Sequence, residues 1–157
     1  MNEPACNGKA FTLVELLAVI LVISILAAVV VGVANQVWRK SAEEQTKLHM
    51  RIIMMAVDVY ARENGGEYPP EPAGADDTAK SIALYGLLKN VTAARARLLK
   101  LPPEATVKWG LNWYFVDGFG KVLRYHAAGV GGTPYLESAG ADGGFEAKED
   151  NIRSDRL

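Results

Sequence analysis

Residues 11–35 decide the fold of this chain, and they read Phe-Thr-Leu-Val-Glu-Leu-Leu-Ala-Val-Ile-Leu-Val-Ile-Ser-Ile-Leu-Ala-Ala-Val-Val-Val-Gly-Val-Ala-Asn. From Leu16 to Ala34 there are nineteen residues without a charge. A helix rises ~1.5 Å per residue, so this stretch can cross a hydrocarbon core of ~30 Å. Glu15 lies at the edge of the span, where an ionisable residue is costly and therefore suggests a function. We predict a membrane helix over residues 11–35 that contains one functional carboxylate.

The span differs from a cleaved secretory signal, which has a basic start, roughly 7–15 apolar residues and a small-residue cleavage site after them. Here the apolar run is longer, and Lys9 is balanced by Glu3. The residues after Ala34 read Asn-Gln-Val-Trp-Arg-Lys, which is typical of a membrane exit with a tryptophan at the interface. We therefore expect the span to be retained.

Composition restricts the rest of the chain to one modest domain. Of 157 residues, 17 are basic and 18 acidic, and the formal net charge is −1. No basic block is present, so we predict no nucleic-acid partner. The only cysteine, Cys6, precedes the span, and an intramolecular disulfide cannot form.

Helical signals continue beyond the membrane span. From Gln36 to Asn64 there is no proline or glycine, and Asn64-Gly65-Gly66 followed by Pro69-Pro70 predicts the end of one long helix near Glu63. Four apolar residues in this half fall on one face at helical spacing, and we expect this apolar stripe to pack on the domain: Leu48, Ile52, Met55 and Val59.

The remaining chain predicts short helices followed by strands. The helices are expected at Ser81–Lys89 and Ala93–Leu99. Alternation predicts strands at Trp109–Phe115 and Val122–His126, antiparallel about the turn at residues 117–120, and a third strand at Tyr135–Ser138. The fold class is therefore α+β, with the long N-terminal helix packed on a small domain of short helices and a three-stranded antiparallel sheet.

The motif Phe11-Thr12-Leu13-Val14-Glu15-Leu16-Leu17 at the start of an apolar helix resembles the type IV pilin and pseudopilin superfamily. The resemblance implies a prepilin leader at residues 1–10, a transmembrane half at 11–35 and an extracytoplasmic domain at 36–157. It implies cleavage between Ala10 and Phe11 by a prepilin peptidase, followed by N-methylation of Phe11. Relatives usually have glycine where this chain has Ala10. Glu15 would compensate a neighbouring subunit's charge during filament assembly.

Two further regions resemble the major pseudopilin of type II secretion systems. Residues 64–69 read Asn-Gly-Gly-Glu-Tyr-Pro at the end of the long helix. The C-terminal half carries Asp-Gly-Phe-Gly-Lys-Val-Leu-Arg-Tyr at 117–125, Leu-Glu-Ser-Ala-Gly-Ala-Asp-Gly at 136–143 and Glu-Asp-Asn-Ile at 149–152. This resemblance implies a single-pass inner-membrane protein with a periplasmic domain. Its partners would be other copies of itself, the prepilin peptidase, the inner-membrane assembly platform, minor pseudopilins and, before assembly, membrane lipid.

The C-terminal acidic loop is a candidate calcium site. Ca²⁺ takes 6–8 oxygen ligands from carboxylates, hydroxyls and carbonyls. In the resembling pseudopilins such a loop binds calcium, and matching positions here assign the metal ligands to Leu136, Ser138, Asp142 and Asp150, with Glu149 and Asn151 beside them. The alternative is a solvated acidic loop, because turns use Asp and Gly in any case.

No arrangement of residues suggests catalysis, so we predict that the protein is not an enzyme. His49 and His126 are interpreted as ordinary polar positions. The resemblance favours a structural subunit of a type II secretion pseudopilus, which drives protein export. One alternative is a type IV pilus or competence pilin, although those more often have a C-terminal cysteine pair. The other is a single-pass anchored protein whose N-terminus is never cleaved.

Overall fold

The structure is a computed structural model that describes residues 11–127, 132–146 and 150–157. The helices within these ranges are α1 (Leu13–Glu63), α2 (Asp77–Asn90) and α3 (Thr92–Leu98). The strands are β1 (Thr106–Trp109), β2 (Asn112–Phe115), β3 (Arg124–His126), β4 (Tyr135–Ser138) and β5 (Ile152–Arg153). Short 3₁₀ turns lie at Pro103–Ala105 and Ser154–Arg156. The predicted α+β class is confirmed.

The chain divides into two compact units, the first ending at Trp38 and the second comprising Arg39–Leu157. In the first unit, α1 is long and apolar enough to cross a membrane, and none of that apolar stretch is buried within the described structure. The hydroxyl of Ser24 donates a 2.6 Å hydrogen bond to the carbonyl of Ile20 one turn earlier. Ser24 is the one polar residue in the middle of the apolar stretch, and its hydroxyl thus makes its hydrogen bond within the helix, as a lipid environment requires.

In the second unit, α1 packs on the domain with a different face from the one expected. The prediction that the apolar stripe packs on the domain is wrong for Leu48, which is 48% exposed, and for Met55, which is 53% exposed, whereas Val59 is partly buried against the core. The buried face is instead made of small, apolar and polar residues in the same half of the helix: Ala42, Thr46, His49, Met50, Ile53, Ala56, Val57 and Ala61.

Polar residues can occupy that buried face because the domain supplies partners for them. The hydroxyl of Thr46 donates to the carbonyl of Ala42 at 2.7 Å and accepts the amide of Gly118 at 2.9 Å. The Nδ1 atom of His49 lies 3.1 Å from the carbonyl oxygen of Val116. The Nε2 atom of His49 is buried without a hydrogen-bond partner among the described residues. His49 is therefore a core residue. The buried face of α1 was predicted wrongly because the prediction considered only apolar residues.

The ends of the helices follow from local signals. The amide of Gly66 donates to the carbonyl of Ala61 at 2.7 Å, and both Gly65 and Gly66 have positive φ, which is the usual way for glycine to end a helix. The predicted end of α1 near Glu63 is confirmed. The α2 helix begins earlier than expected because the carboxylate of Asp76 accepts the amide of Ala79 at 2.7 Å and caps its first turn.

The strand prediction is partly wrong. Residues 109–115 form no single strand, because Gly110 has a φ of 60° and turns the chain back. The β1 and β2 strands form an antiparallel hairpin in which Thr106 is paired with Phe115. The pairing expected across the turn at 117–120 is reduced to one bridge between Val116 and Val122.

The three-stranded antiparallel sheet has the order β3-β4-β5. Its inner face meets α1 and α2 in a single core, which contains Met50, Ile53, Ala56, Val57, Leu84, Leu88, Ala94, Phe115, Leu123, Tyr125 and Leu136. The phenol of Tyr125 donates a 3.0 Å hydrogen bond to the carbonyl of Pro69. Burial raises the pKa of this phenol, so it stays neutral inside the core.

Candidate functional site

The first turn of α1 is closed by a reciprocal pair of hydrogen bonds between Thr12 and Glu15. The backbone amide and the hydroxyl of Thr12 both donate to Oε2 of Glu15, each at 2.9 Å. The amide of Glu15 donates in return to the hydroxyl of Thr12 at 3.2 Å. Because α1 begins at Leu13, Thr12 is the N-cap and Glu15 the third helical residue. This is the capping box of a Thr-x-x-Glu sequence.

The capping box gives Glu15 a second role that the sequence analysis missed. The sequence signal was present, since Thr12 and Glu15 are three residues apart just before an apolar run. Both donors of Thr12 reach the same carboxylate oxygen, and Oε1 of Glu15 receives no hydrogen bond from the described residues. The negative charge also lies at the positive end of the helix dipole. One oxygen therefore stabilises the helix start while the other stays available to a cation.

The predicted cleavage site lies at the boundary of the described structure. Phe11 is 78% exposed, so the described residues leave its ring largely uncovered. Ala10 and the rest of the leader lie outside the described residues. Cleavage between Ala10 and Phe11 and methylation of Phe11 stay predictions.

In the C-terminal half, the hydroxyl of Ser138, one of the predicted calcium ligands, is hydrogen-bonded to the carboxylate of Asp117. The hydroxyl of Ser138 donates to Oδ2 of Asp117 at 2.5 Å and accepts the amide of Gly140 at 3.0 Å. Oδ1 of Asp117 accepts the amides of Phe119 and Lys121 at 2.9 and 2.8 Å. The Asp117 carboxylate therefore holds its own turn and the end of β4 together.

Two other predicted ligands are brought together around Gly140. Oδ2 of Asp150 accepts the amide of Asp142 at 3.1 Å, and Oδ1 of Asp142 accepts the amide of Gly144 at 2.8 Å. Gly140 has a φ of 66°, and a Cβ added there would collide with the backbone carbonyl oxygen of Asp150. The close approach of these backbones requires a glycine.

Leu136, the fourth predicted ligand, lies in β4 with its side chain fully buried in the core. Its amide donates to the hydroxyl of Ser154 at 2.8 Å. Only its carbonyl was predicted as a ligand, and the burial of the side chain does not bear on that prediction.

Two of the four predicted calcium ligands have side-chain oxygens of the type that a hard cation binds. The carboxylates of Asp142 and Asp150 are the oxygen type that Ca²⁺ prefers, and they lie in one loop. Within residues 11–127, 132–146 and 150–157, no group of three or more His, Cys, Asp or Glu side chains is placed to hold a metal ion. Glu149, which the sequence placed beside this set, lies outside the described residues. The calcium site stays a prediction.

The outer face of the three-stranded sheet carries a row of alternating charges that sequence reasoning did not find. Arg124, Glu137 and Arg153 are neighbours across β3, β4 and β5. Arg124 donates to both oxygens of Asp77 at 2.8 and 2.7 Å, and Arg153 donates to both oxygens of Asp155 at 3.0 and 2.7 Å. The hydrogen bonds from Arg124 to Asp77 raise the pKa of its guanidinium further. Arg124 thereby links β3 to α2, and Arg153 links β5 to the C-terminal turn.

A comparison with known families bears on the N-terminus. Residues 7–31 match the family model described as the prokaryotic N-terminal methylation motif. This motif indicates a type IV pilin-like, prepilin-processed protein. The matched residues contain the capping box and most of the apolar span. Comparisons with curated proteins and with solved structures gave no match.

The prepilin motif implies processing by a prepilin peptidase and assembly into a filament in general terms. The apolar half of α1 is compatible with a single-pass membrane anchor. The type IV pilin-like family is structural rather than enzymatic. The motif is common to pili and pseudopili, so it does not identify the system.

Proposed function

We propose that this chain is a structural subunit of a type II secretion pseudopilus, a helical filament that drives protein export. The observation that supports this most is a prepilin motif at the start of a 51-residue helix whose apolar half is not covered by the described part of the chain. Such a surface is stable in lipid or among other apolar helices. A subunit that leaves the lipid to join a filament would place this apolar surface in each of these two environments in turn.

In the proposed cycle, the subunit is inserted once in the inner membrane with its domain in the periplasm. The prepilin peptidase removes residues 1–10 and methylates the amine of Phe11. The inner-membrane assembly platform then adds the subunit to a filament that minor pseudopilins help to start. Each copy contacts the next through two different surfaces, and such an interface grows without closing.

Glu15 would set the register of this assembly. Its Oε2 atom is held by Thr12, and its Oε1 atom can meet the amine at Phe11 of a neighbouring copy. Both charges are expensive in lipid when alone, and pairing lowers that cost. The capping box would keep the carboxylate oriented before the neighbour arrives.

Support for the secretion branch comes from the C-terminal motifs. Asp117 and Ser138, from two of those motifs, are hydrogen-bonded, and Asp142 and Asp150 meet around Gly140. Calcium would be held by Asp142 and Asp150, with oxygens of Leu136 and Ser138 completing the predicted set. When bound, the ion would supply a cross-link in a domain that has no disulfide.

Intact-mass analysis of the full-length protein, produced with a prepilin peptidase, tests the processing step. Loss of residues 1–10 together with the gain of one methyl group is expected. An intact Met1 would instead support an uncleaved, single-pass anchored protein.

Gene deletion in the source organism tests the choice of system. A pseudopilus subunit is expected to be required for the appearance of exported proteins in the medium. Loss of surface motility, adhesion or DNA uptake, with normal export, would favour the pilus or competence alternative.

Thermal unfolding of the full chain in detergent micelles, with and without Ca²⁺, tests the metal. We expect Ca²⁺ to raise the Tm of the wild-type chain and to have no such effect on Asp142→Ala and Asp150→Ala. Glu67→Ala, a change of an exposed carboxylate outside the loop, is the matched control. No rise in the wild-type Tm would exclude the site.

A further inference from the structure

A small cavity, here called the α2–α3 cavity, is lined by residues of α2, α3 and the start of β1. Its volume is about 190 Å³, which is below the roughly 300–1,000 Å³ of typical small-molecule sites. Most of its lining is apolar and includes Tyr85, Leu98, Leu101 and Pro102. Leu99 also lines it and is 78% exposed, so the cavity opens to solvent beside this residue. The space suits one or two side chains of a polypeptide rather than a separate small molecule.

Tyr85 gives this cavity a rigid aromatic wall. Its ring lies against the rings of Trp113 and Phe115, with centroids 6.4 Å and 5.4 Å apart. Grooves lined by aromatic side chains bind proline-rich segments, whose extended backbone is already ordered before binding. The cavity therefore has the wall that a proline ring requires.

Three cations surround the opening of the cavity. Lys89 and Arg95 line it directly. Lys108 lies two residues after Thr106, a lining residue, and so belongs to the same face of β1. All three cations are exposed, and none is in an ion pair within the described part of the chain. Glu104 is the one acidic residue between Lys89 and Lys108 in sequence, so the opening is complementary to an acidic segment.

A segment with both required properties is present in the same chain. Residues 63–77, here called the acidic proline loop, read Glu-Asn-Gly-Gly-Glu-Tyr-Pro-Pro-Glu-Pro-Ala-Gly-Ala-Asp-Asp, with no Lys or Arg. Pro70 is exposed. Two of the carboxylates already have ion-pair partners, whereas Glu63 and Glu67 are exposed and form no ion pair with the described residues.

The loop of the same copy lies on the wrong side of α2 to enter the cavity. Pro70 borders a groove on the face of α2 that carries Ala83 and Leu87. Tyr85 and Lys89, each two residues further along the helix, line the cavity. Positions two apart in a helix are turned by about 200° from one another, so these two faces are nearly opposite. Whatever fills the cavity comes from another molecule.

We propose that the α2–α3 cavity binds the acidic proline loop of a second copy of this chain. Pro70 of that copy lies against Tyr85, and Glu63 and Glu67 lie beside the cations at the opening. Three residues of extended chain span about 9 Å, so Glu67 reaches the opening while Pro70 occupies the cavity.

This contact joins two different surfaces and leaves one of each free at the ends of a pair. It therefore extends from copy to copy instead of closing into a dimer. The inference rests on the proposed function, because it adds a contact between the domains of neighbouring filament subunits.

Cross-linking of the full-length chain in its own host tests the contact. The chain carries Cys6→Ser together with Ala73→Cys in the loop and Thr92→Cys, which is exposed on the same face of α3 as Arg95 and Leu99. Membranes are treated with a short bis-maleimide. A ladder of dimers, trimers and larger species is expected, because each copy offers one cysteine to either neighbour.

The single-cysteine chains are the matched controls for this ladder. Ala73→Cys alone and Thr92→Cys alone are expected to give no cross-linked species. The two single-cysteine chains produced together are expected to give dimers and nothing larger, since each has only one reactive side. Dimers from either single-cysteine chain alone would overturn the contact in favour of a symmetric pair.

Charge reversal tests the role of the cations. Lys89→Glu with Lys108→Glu in the double-cysteine chain is expected to reduce the ladder about fivefold, because both new charges oppose the loop. Adding Glu63→Lys and Glu67→Lys is expected to restore most of it. Arg97→Glu with Arg156→Glu, the same change at two exposed residues that do not line the cavity, is the matched control and should leave the ladder unchanged. An equal loss in this control would overturn the role of the cations.

Pro70→Ala tests the seating of the proline ring. Loss of its contact with Tyr85 is expected to reduce the ladder about threefold. Pro72→Ala, the same change two residues further along the loop, is the matched control and should reduce it less. Equal ladders from wild type and Pro70→Ala would overturn the assignment of Pro70 to the cavity.

The outcomes separate this inference from the proposed function. Processed protein that forms filaments but gives no ladder would overturn the loop contact and leave the pseudopilin assignment standing. A Thr92→Cys chain that is cross-linked to a different protein and not to a second copy would overturn the choice of partner. A chain that is neither processed nor assembled would overturn the proposed function and this contact with it.

Discussion

Ser138 and Asp117, twenty-one residues apart in sequence, share a 2.5 Å hydrogen bond inside the domain. Asp117 is only 2% exposed and Ser138 is fully buried. The carboxylate accepts this hydroxyl on one oxygen and the amides of Phe119 and Lys121 on the other. A buried carboxylate is tolerated here because each of its oxygens has a donor.

Ser138→Ala removes the donor to one of those oxygens and leaves it buried. We expect the free energy of unfolding to fall by about 2 kcal/mol, which is the usual cost of an unsatisfied buried polar group. Urea denaturation of the full chain in micelles measures the change. Ser41→Ala, at an exposed position on α1, is the control. A loss no larger than that of the control would show that this bond contributes little.

Local sequence signals were sufficient for the end of α1, although the start of α2 at Asp77 was predicted too late in the chain. The end of α1 follows from Gly65 and Gly66, which adopt the positive φ that glycine favours. The capping box of Thr12 and Glu15 is also readable from its spacing. Each of these features depends on residues within a few positions of one another, so the chain encodes them without help from distant parts.

Features that depend on distant partners were not predictable in this way. The buried face of α1 includes Thr46 and His49, whose partners Gly118 and Val116 lie about seventy residues away in sequence. The alternation in residues 109–115 fits a straight strand and a hairpin equally well, and the positive φ of Gly110 decides between them. In the C-terminal acidic loop, Asp142 and Asp150 were expected to lie close together, whereas the bond from Ser138 to Asp117 was not predicted.

Gly140 and Gly86 are expected to respond in opposite directions to substitution by alanine. At Gly140 the backbone has a positive φ and a Cβ would collide with Asp150, so Gly140→Ala should destabilise the domain by at least about 2 kcal/mol. Gly86 lies inside α2 with no atom within 4 Å of an added Cβ, so Gly86→Ala should stabilise it by about 0.5–1 kcal/mol. Thermal unfolding of both variants measures the two effects. Equal effects would contradict the close approach at Gly140.

Thr12→Ala is expected to loosen the first turn of α1. Loss of an N-cap side chain costs about 1 kcal/mol, and Glu15 would also lose a donor to its carboxylate. Amide hydrogen exchange of residues 13–16 in micelles should become about fivefold faster. Thr12→Ser keeps the hydroxyl and should restore slow exchange. Equal rates in wild type and Thr12→Ala would mean that the capping box does not hold this turn.

Glu71 should contribute to stability at neutral pH and lose that contribution in acid. Burial alone would raise the pKa of Glu71. This effect is outweighed by hydrogen bonds from Lys80 at 2.6 Å and from the amide of Ala127 at 3.3 Å, together with the charges of Lys80 and His126. The pKa of Glu71 therefore lies below its ordinary value of 4.5. Because the folded pKa is the lower one, the unfolded chain takes up the proton first as the pH falls. The contribution is therefore fully present above pH 4.5 and disappears as the pH falls through the folded pKa.

Glu71→Gln tests this dependence through the free energy of unfolding measured from pH 7 downward. The difference between wild type and Glu71→Gln should be greatest near neutral pH and should shrink below the ordinary pKa of 4.5. Glu67→Gln, an exposed carboxylate in the preceding loop, is the matched control and should leave the wild-type profile unchanged. A difference that stays constant across the acid range would show that Glu71 acts through packing rather than through its charge, because a neutral contact does not titrate.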